Sequence, residues 1–187
     1  MKTLIVYGSD CEATAEIAEE IAKTLRDGGF NVKVINLSEE RIENTSKFEL
    51  VVVGSEIQIN KWSTEAESFL KKFQEELPKK KVAIFVSSAL FTLSKIQGKK
   101  TEVDRTRKNY LEQKAAACSL TPIALTIFGG VLDFNKLGFL ARRNLNWAKS
   151  SFAKEGYEET KPGVYDTRDW NEIREWARKL VLKARYL

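Results

Sequence analysis

At 187 residues, with 43% hydrophobic and 30% charged side chains, the chain has the composition of an ordinary globular protein and is long enough to bury a full core without disulfide or metal staples. It contains no histidine, which excludes Ser-His and Cys-His nucleophile pairs, imidazole acid–base chemistry and histidine metal sites together. Cys11 and Cys118 have no metal-ligand spacing, the net charge of +5 points only weakly to an anionic partner, and no apolar run reaches membrane-spanning length. The expectation is therefore one domain, residues 1–187, in a reducing cytoplasm, without a leader or a spanning helix. Any redox chemistry must be carried by a cofactor, and no catalytic or metal-binding side chain is assigned.

Leu4-Ile5-Val6-Tyr7 reads as a buried strand that stops at Gly8. Thr14, Ile17, Ala18, Ile21, Ala22 and Leu25 follow at helical spacing, and Gly28-Gly29 closes that helix. Phe30 to Leu37 alternates and predicts an edge strand. Ser38 to Lys47 is polar and reads as a loop. Leu50 to Val53 is a buried strand ending at Gly54-Ser55, and Glu56 to Trp62 is irregular. Ser63 or Thr64 caps a helix striped by Ala66, Phe69, Leu70, Phe73 and Leu77, and Pro78 ends it.

Val82 to Val86 predicts the fourth strand, Ala89 to Thr101 a loop, and Glu102 to Cys118 a helix with Val103, Tyr110, Leu111 and Ala117 turned inward. Ile123 to Phe128 is the fifth strand, running into Gly129-Gly130. Asn135 to Ala153 is a further helical stretch within an insertion of about 130–167, and Pro162-Gly163 marks a loop. Thr167 or Asp169 caps the last helix, with Trp170, Ile173, Trp176, Ala177, Leu180 and Val181 buried. Apolar strands alternating with helices imply an α/β fold: a doubly wound five-stranded parallel sheet in the order 2-1-3-4-5, with helices on both faces. Ligands of such sheets lie outside the carboxyl ends of the strands, here at residues 8–14, 54–62, 87–93 and 128–134.

A strand, a short loop and a helix N-terminus form an anion site, because first-turn amides have no intrahelical partner and the dipole is positive there. On the stretches MKTLIVYGSDCEATAEIAEEIAKTL, LVVVGSEIQINKW and VYDTRDWNEIREWARKL, the chain resembles the flavodoxin domain proteins. The nearest branch is the one containing flavodoxin-type, menaquinone-linked protoporphyrinogen oxidases. That branch also carries an extended segment between the fifth strand and the last helix. The resemblance implies bound FMN. Its phosphate would lie in Ser9, Asp10, Cys11, Glu12, Ala13 and Thr14, held by backbone amides and the hydroxyls of Ser9 and Thr14. The flavin ring would lie between Glu56, Ile57, Gln58, Ile59 and Trp62 on one side and Ser88, Ala89, Leu90 and Phe91 on the other. Ile57, Ile59, Trp62 and Phe91 would cover it, although Trp62 also suits packing on the helix that follows.

The phosphate loop departs from the family pattern T-x-T-G-x-T. Here it reads S-D-C-E-A-T, without glycine and with two acids, which disfavour a phosphate dianion unless they face solvent or cap the helix. Either the backbone cradle suffices, or the loop has lost FMN. Three functions stay open: an FMN-dependent electron carrier or small oxidoreductase, a protoporphyrinogen oxidase coupled to a quinone, and a cofactor-free binding module. Residues 135–153 join Leu137, Phe139, Leu140, Leu145 and Trp147 with Lys136, Arg142, Arg143 and Lys149. Such a helix lies on an anionic membrane face, packs across the sheet edge or builds a homodimer contact. The partners implied are a redox protein or quinone, with peripheral attachment at the inner face of the membrane; no nucleic-acid motif is present.

Overall fold

The computed structural model describes residues 1–8, 12–57 and 61–186. Five parallel strands, β1 (Lys2–Gly8), β2 (Asn31–Asn36), β3 (Leu50–Glu56), β4 (Lys81–Ser87) and β5 (Ala124–Phe128), form one sheet in the order β2-β1-β3-β4-β5. Each central strand reads as an unbroken apolar run because both of its faces are covered. Leu4, Val6, Val51, Val53, Val82, Ile84 and Val86 point into one core, and Ile5, Val52, Ala83 and Phe85 into the other. Val6 pairs with Val53 and Ile84 with Leu125, so apolar rows cross the sheet. Edge strand β2 alternates between exposed and part-buried positions along most of its length, as its sequence predicts. Gly54 is obligatory in β3: a Cβ there would lie 2.2 Å from Cζ of the fully buried Phe85.

Helix α1 (Glu12–Asp27) buries its predicted stripe against the second core, and Gly29 closes it at a φ of +79°. It packs beside the last helix, α7 (Trp170–Tyr186), which Asp169 caps by accepting from the amides of Asn171 and Glu172. Trp170 and Trp176 of α7 are half-buried, not fully inside, and Trp176 meets Phe128 edge-on at 5.6 Å. Across the sheet, α2 (Thr64–Lys72) starts where expected, with Ser63 Oγ accepting from the Ala66 amide at 3.3 Å. It ends earlier than its stripe suggests. Pro78 disfavours helix in the residue before it, and the chain tightens into a 3-10 turn at Leu77–Lys79 with Phe73 and Leu77 still buried.

Three expectations are corrected. Residues 89–101, read as a loop, contain helix α3 (Ala89–Ile96) and the start of α4 (Lys100–Arg107). The helix read over 102–118 is interrupted: α4 passes through a π turn at Lys108–Glu112 into α5 (Gln113–Ala117). The extra residue of a π turn rotates the following face, so Leu111 and Ala115 are buried and Ala117 is exposed. Finally, the insertion is more than a helix. It holds β6 (Val131–Asp133), helix α6 (Phe139–Lys154), β7 (Glu159–Lys161) and β8 (Val164–Asp166). The three strands form a second, antiparallel sheet in the order β6-β8-β7, with Pro162-Gly163 turning β7 into β8 and Gly163 at a φ of +75°. This sheet, α6 and α3 share a third cluster built on Ala89, Leu93, Phe134, Ala148, Phe152 and Tyr165. No helix among the described residues is long and apolar enough to cross a membrane.

Candidate functional site

The parallel register brings the ends of β1, β3 and β4 level, pairing Gly8 with Ser55 and Glu56 with Ser87. Two helices start at this edge. The first turn of α1 begins at Glu12, which is exposed, while Ala13 and Thr14 are buried. The second, α3, begins at Ala89, and its cap Ser88 accepts from the Phe91 amide at 3.3 Å. First-turn amides have no carbonyl four residues back to bond. By that rule the amides of Ala13 and Thr14 in α1, and of Ala89 and Leu90 in α3, have no acceptor within their own helices. Each set also carries the positive end of a helix dipole. Ser9, Asp10, Cys11, Gln58 and Ile59, also expected at the site, lie outside the described residues.

Several expected contacts are taken up by the protein itself. Thr14 is fully buried, and its hydroxyl meets Ser87 Oγ at 3.0 Å, so its side chain ties α1 to β4 and faces away from solvent. The Ile57 amide donates to the Ser87 carbonyl at 3.0 Å, which fixes the exit of β3 against β4. The Ile57 side chain is half-buried against the first core, and Glu56 and Leu90 are likewise half-buried. Trp62 is only 4% exposed, with its indole N–H donating to the Tyr110 carbonyl at 3.0 Å; Phe91 is 6% exposed. Both rings are packed in the first core, so they present little surface from which to cover a ligand. Trp62 shares this core with Ala66, Phe69 and Leu70 of α2, the packing its position before that helix also suited, whereas its bond to Tyr110 and the burial of Phe91 depend on partners that no local pattern shows.

The exit of β5 carries a feature that the sequence did not mark. Gly129 lies so close to Thr167 that a Cβ would sit 1.9 Å from the Thr167 carbonyl oxygen. The Gly130 amide donates to Thr167 Oγ1, and the Thr167 amide and hydroxyl both donate to the Gly130 carbonyl, at 2.9 to 3.1 Å. Next to Thr167, Arg168 is paired with Asp166 by two bonds, Nε to Oδ1 at 2.9 Å and Nη2 to Oδ2 at 2.6 Å. Its Nη1 donates to Glu16, and at 3.4 Å to the Ala13 carbonyl in the first turn of α1. Burial works against its charge, but the bonds to Asp166 and Glu16 outweigh burial and hold the guanidinium protonated. Of the cysteines, Cys118 is half-buried, and burial pushes its thiol up, against the nearby Lys114, so it lacks the lowered pKa of a redox thiol.

A family model described as a flavodoxin domain matches residues 4–160. The protoporphyrinogen IX dehydrogenase (quinone) of Escherichia coli strain K12 is 21% identical over 181 residues, which cover 97% of this chain and 95% of that protein. Among solved structures, a flavodoxin from the domain Archaea superposes with a TM-score of 0.57 at 15% identity, covering both chains completely. Two-electron reduced Megasphaera elsdenii flavodoxin gives 0.53 at 16% identity, over 95% of this chain and 98% of its own. These likenesses span the five-stranded sheet whose strand tips carry the two helix N-termini.

Proposed function

The chain belongs to the flavodoxin domain family, and from that premise we propose that it binds FMN and passes electrons between a redox partner and an acceptor. The observation that carries the reading is the pair of helix N-termini, α1 and α3, that open at neighbouring strand tips. The donor set suits FMN: first-turn amides beside a positive dipole for the phosphate, and a second row of amides with Ile57 and Leu90 for the ring edge. The phosphate is held by the amides of α1's first turn, residues 12–14, with Glu12 exposed and turned to water. The Thr14 hydroxyl, buried on Ser87, orients that turn from behind. Bound FMN supplies one- or two-electron transfer, for which no acid–base side chain is required.

The direct test is spectroscopic. Purified protein is expected to be yellow, to release one FMN per chain on denaturation, and as apoprotein to quench the fluorescence of added FMN. Colourless protein whose apo form leaves FMN fluorescence unchanged would establish a cofactor-free module instead.

A quinone-coupled oxidoreductase is the second reading. It is supported by the match along nearly the full length of the Escherichia coli dehydrogenase and by the surface of α6. Phe139, Leu140 and Trp147 are 78%, 71% and 49% exposed, and Phe139, Arg143 and Trp147 recur every four residues on one side of the helix. Lys99, exposed just before α4, lies 5.6 Å over the Trp147 ring. Aromatic and basic groups together suit an anionic lipid surface, where the acceptor quinone is dissolved. Flotation with vesicles of phosphatidylcholine and phosphatidylglycerol is expected to carry the protein. The double change Phe139→Ser and Leu140→Ser should reduce that binding at least about tenfold, since complete burial of each side chain contributes roughly 1.5–3 kcal/mol and even half of that for the pair exceeds the roughly 1.4 kcal/mol of a tenfold change. Unchanged flotation would remove the membrane from the reading. Turnover of protoporphyrinogen IX with a menaquinone acceptor tests the activity itself.

A further inference from the structure

Arg168 joins the insertion to the helix that starts at the anion site. Its side chain is 9% exposed, and its partners come from three places: Asp166 at the end of β8, Glu16 in α1, and the carbonyl of Ala13 in α1's first turn. Its guanidinium also lies 4.6 Å over the Trp170 ring at the start of α7. The neighbouring Thr167 holds Gly130 through three hydrogen bonds, so residues 166–168 fix both the start of α1 and the exit of β5. Two of the strand-tip loops thus depend on one short segment of the insertion.

The charges matter as much as the geometry. Glu12 and Glu16 lie four residues apart on α1 and so fall on one side of the helix, with Asp166 reaching the same guanidinium from β8. Without Arg168, Glu16 and Asp166 would lose the cation that pairs with both of them beside the positive end of α1. An entering dianion would then meet uncompensated negative charge.

We propose that Arg168 is a positioning residue for the phosphate-binding turn: it locks the first turn of α1 to the end of β8 and offsets the charge of Glu16 and Asp166, which would otherwise disfavour a phosphate monoester there. This rests on the FMN reading above.

The experiment compares FMN with riboflavin in wild-type protein, R168A and R168K, and measures amide exchange in the ligand-free proteins. Arg168→Ala is expected to weaken FMN about tenfold or more while riboflavin changes less than about threefold, because only FMN carries the phosphate charge. R168K, which keeps the charge but loses the fork on Asp166, should recover part of the FMN affinity. Exchange of the Glu16, Ile17 and Ala18 amides, whose helical acceptors are the carbonyls of residues 12–14, should quicken about tenfold in R168A. Equal losses for both flavins, or unchanged affinities with unchanged exchange, would overturn the proposal. If R168A does not fold, R168K carries the same comparison, and a selective loss of FMN smaller than a charge removal would give supports it. Wild-type protein that takes up neither flavin would overturn the FMN reading, and the ligand-free exchange result then decides alone whether Arg168 holds the turn.

Discussion

FMN is expected to bind the apoprotein at least about 100-fold more tightly than riboflavin, measured by fluorescence titration of each at low ionic strength. The two ligands share the ring and ribityl chain, so the ratio isolates the phosphate. A charge-assisted hydrogen bond contributes roughly 1.5–3 kcal/mol, and two first-turn amides of α1 would together contribute about 3–6 kcal/mol. The dipole of a 16-residue helix adds roughly 0.3–1 kcal/mol at its N-terminus. Against these stand desolvation of the dianion and the charge of Glu12, which is exposed and so screened by water. A net of about 3 kcal/mol corresponds to a ratio of about 100. Raising the salt concentration should shrink the ratio, since screening weakens the attraction of the solvent-facing helix end more than it relieves the single charge of Glu12. Equal affinities would mean that the first turn of α1 gives the phosphate nothing, and the acid-rich loop would then be one that has lost the ligand.

The sheet and its two long helices were legible in the sequence for a physical reason. β1, β3 and β4 are buried on both faces, and β5 at the edge is still largely apolar, so their composition alone marks them. α1 and α7 each serve one core, so their apolar positions keep a clean helical period. Where a helix serves two cores the period blurs. In α3, Phe91 faces the first core while Ala89 and Leu93 face the third, and eight residues divided in this way read as a loop. The strands β6, β7 and β8 are three residues each, too short for alternation to show.

Of the candidate site, the sequence made legible only the strand tips where it is expected. Parallel topology puts ligand loops at the strand tips, which follows from strand order and needs no side chain. Which side chains face the ligand depends on distant partners. Trp62 is committed by the Tyr110 carbonyl 48 residues on, and Arg168 meets Glu16 across 152 residues. Neither pairing leaves a trace in local sequence. Thr14 shows the same limit in a helix that was placed correctly. Its position in the first turn follows from the pattern, but the direction of its hydroxyl is set by Ser87 on another strand.

Phe152→Ala is expected to loosen the insertion far more than the main sheet. Phe152 is fully buried, stacked on Tyr165 at 5.0 Å and edge-on to Tyr157 at 5.9 Å, while Tyr165 in turn meets Phe134 at 6.1 Å. Removing a buried phenyl ring costs roughly 3–5 kcal/mol, and the lost ring pairs are part of that cost. The second sheet has little else to resist the change, since its strands are three residues long and its core is the single cluster around this ring. The two cores flanking the five-stranded sheet do not include Phe152. Amides of β6 and β8 should therefore exchange on the order of 10²–10³-fold faster in the variant, while those of β3 and β4 keep most of their protection. Because β8 ends at Asp166, which holds Arg168, the same variant should also lose part of its preference for FMN over riboflavin. Uniform acceleration across both sheets would instead make the insertion and the five-stranded sheet one cooperative unit, joined through the Ala89 and Leu93 face of α3.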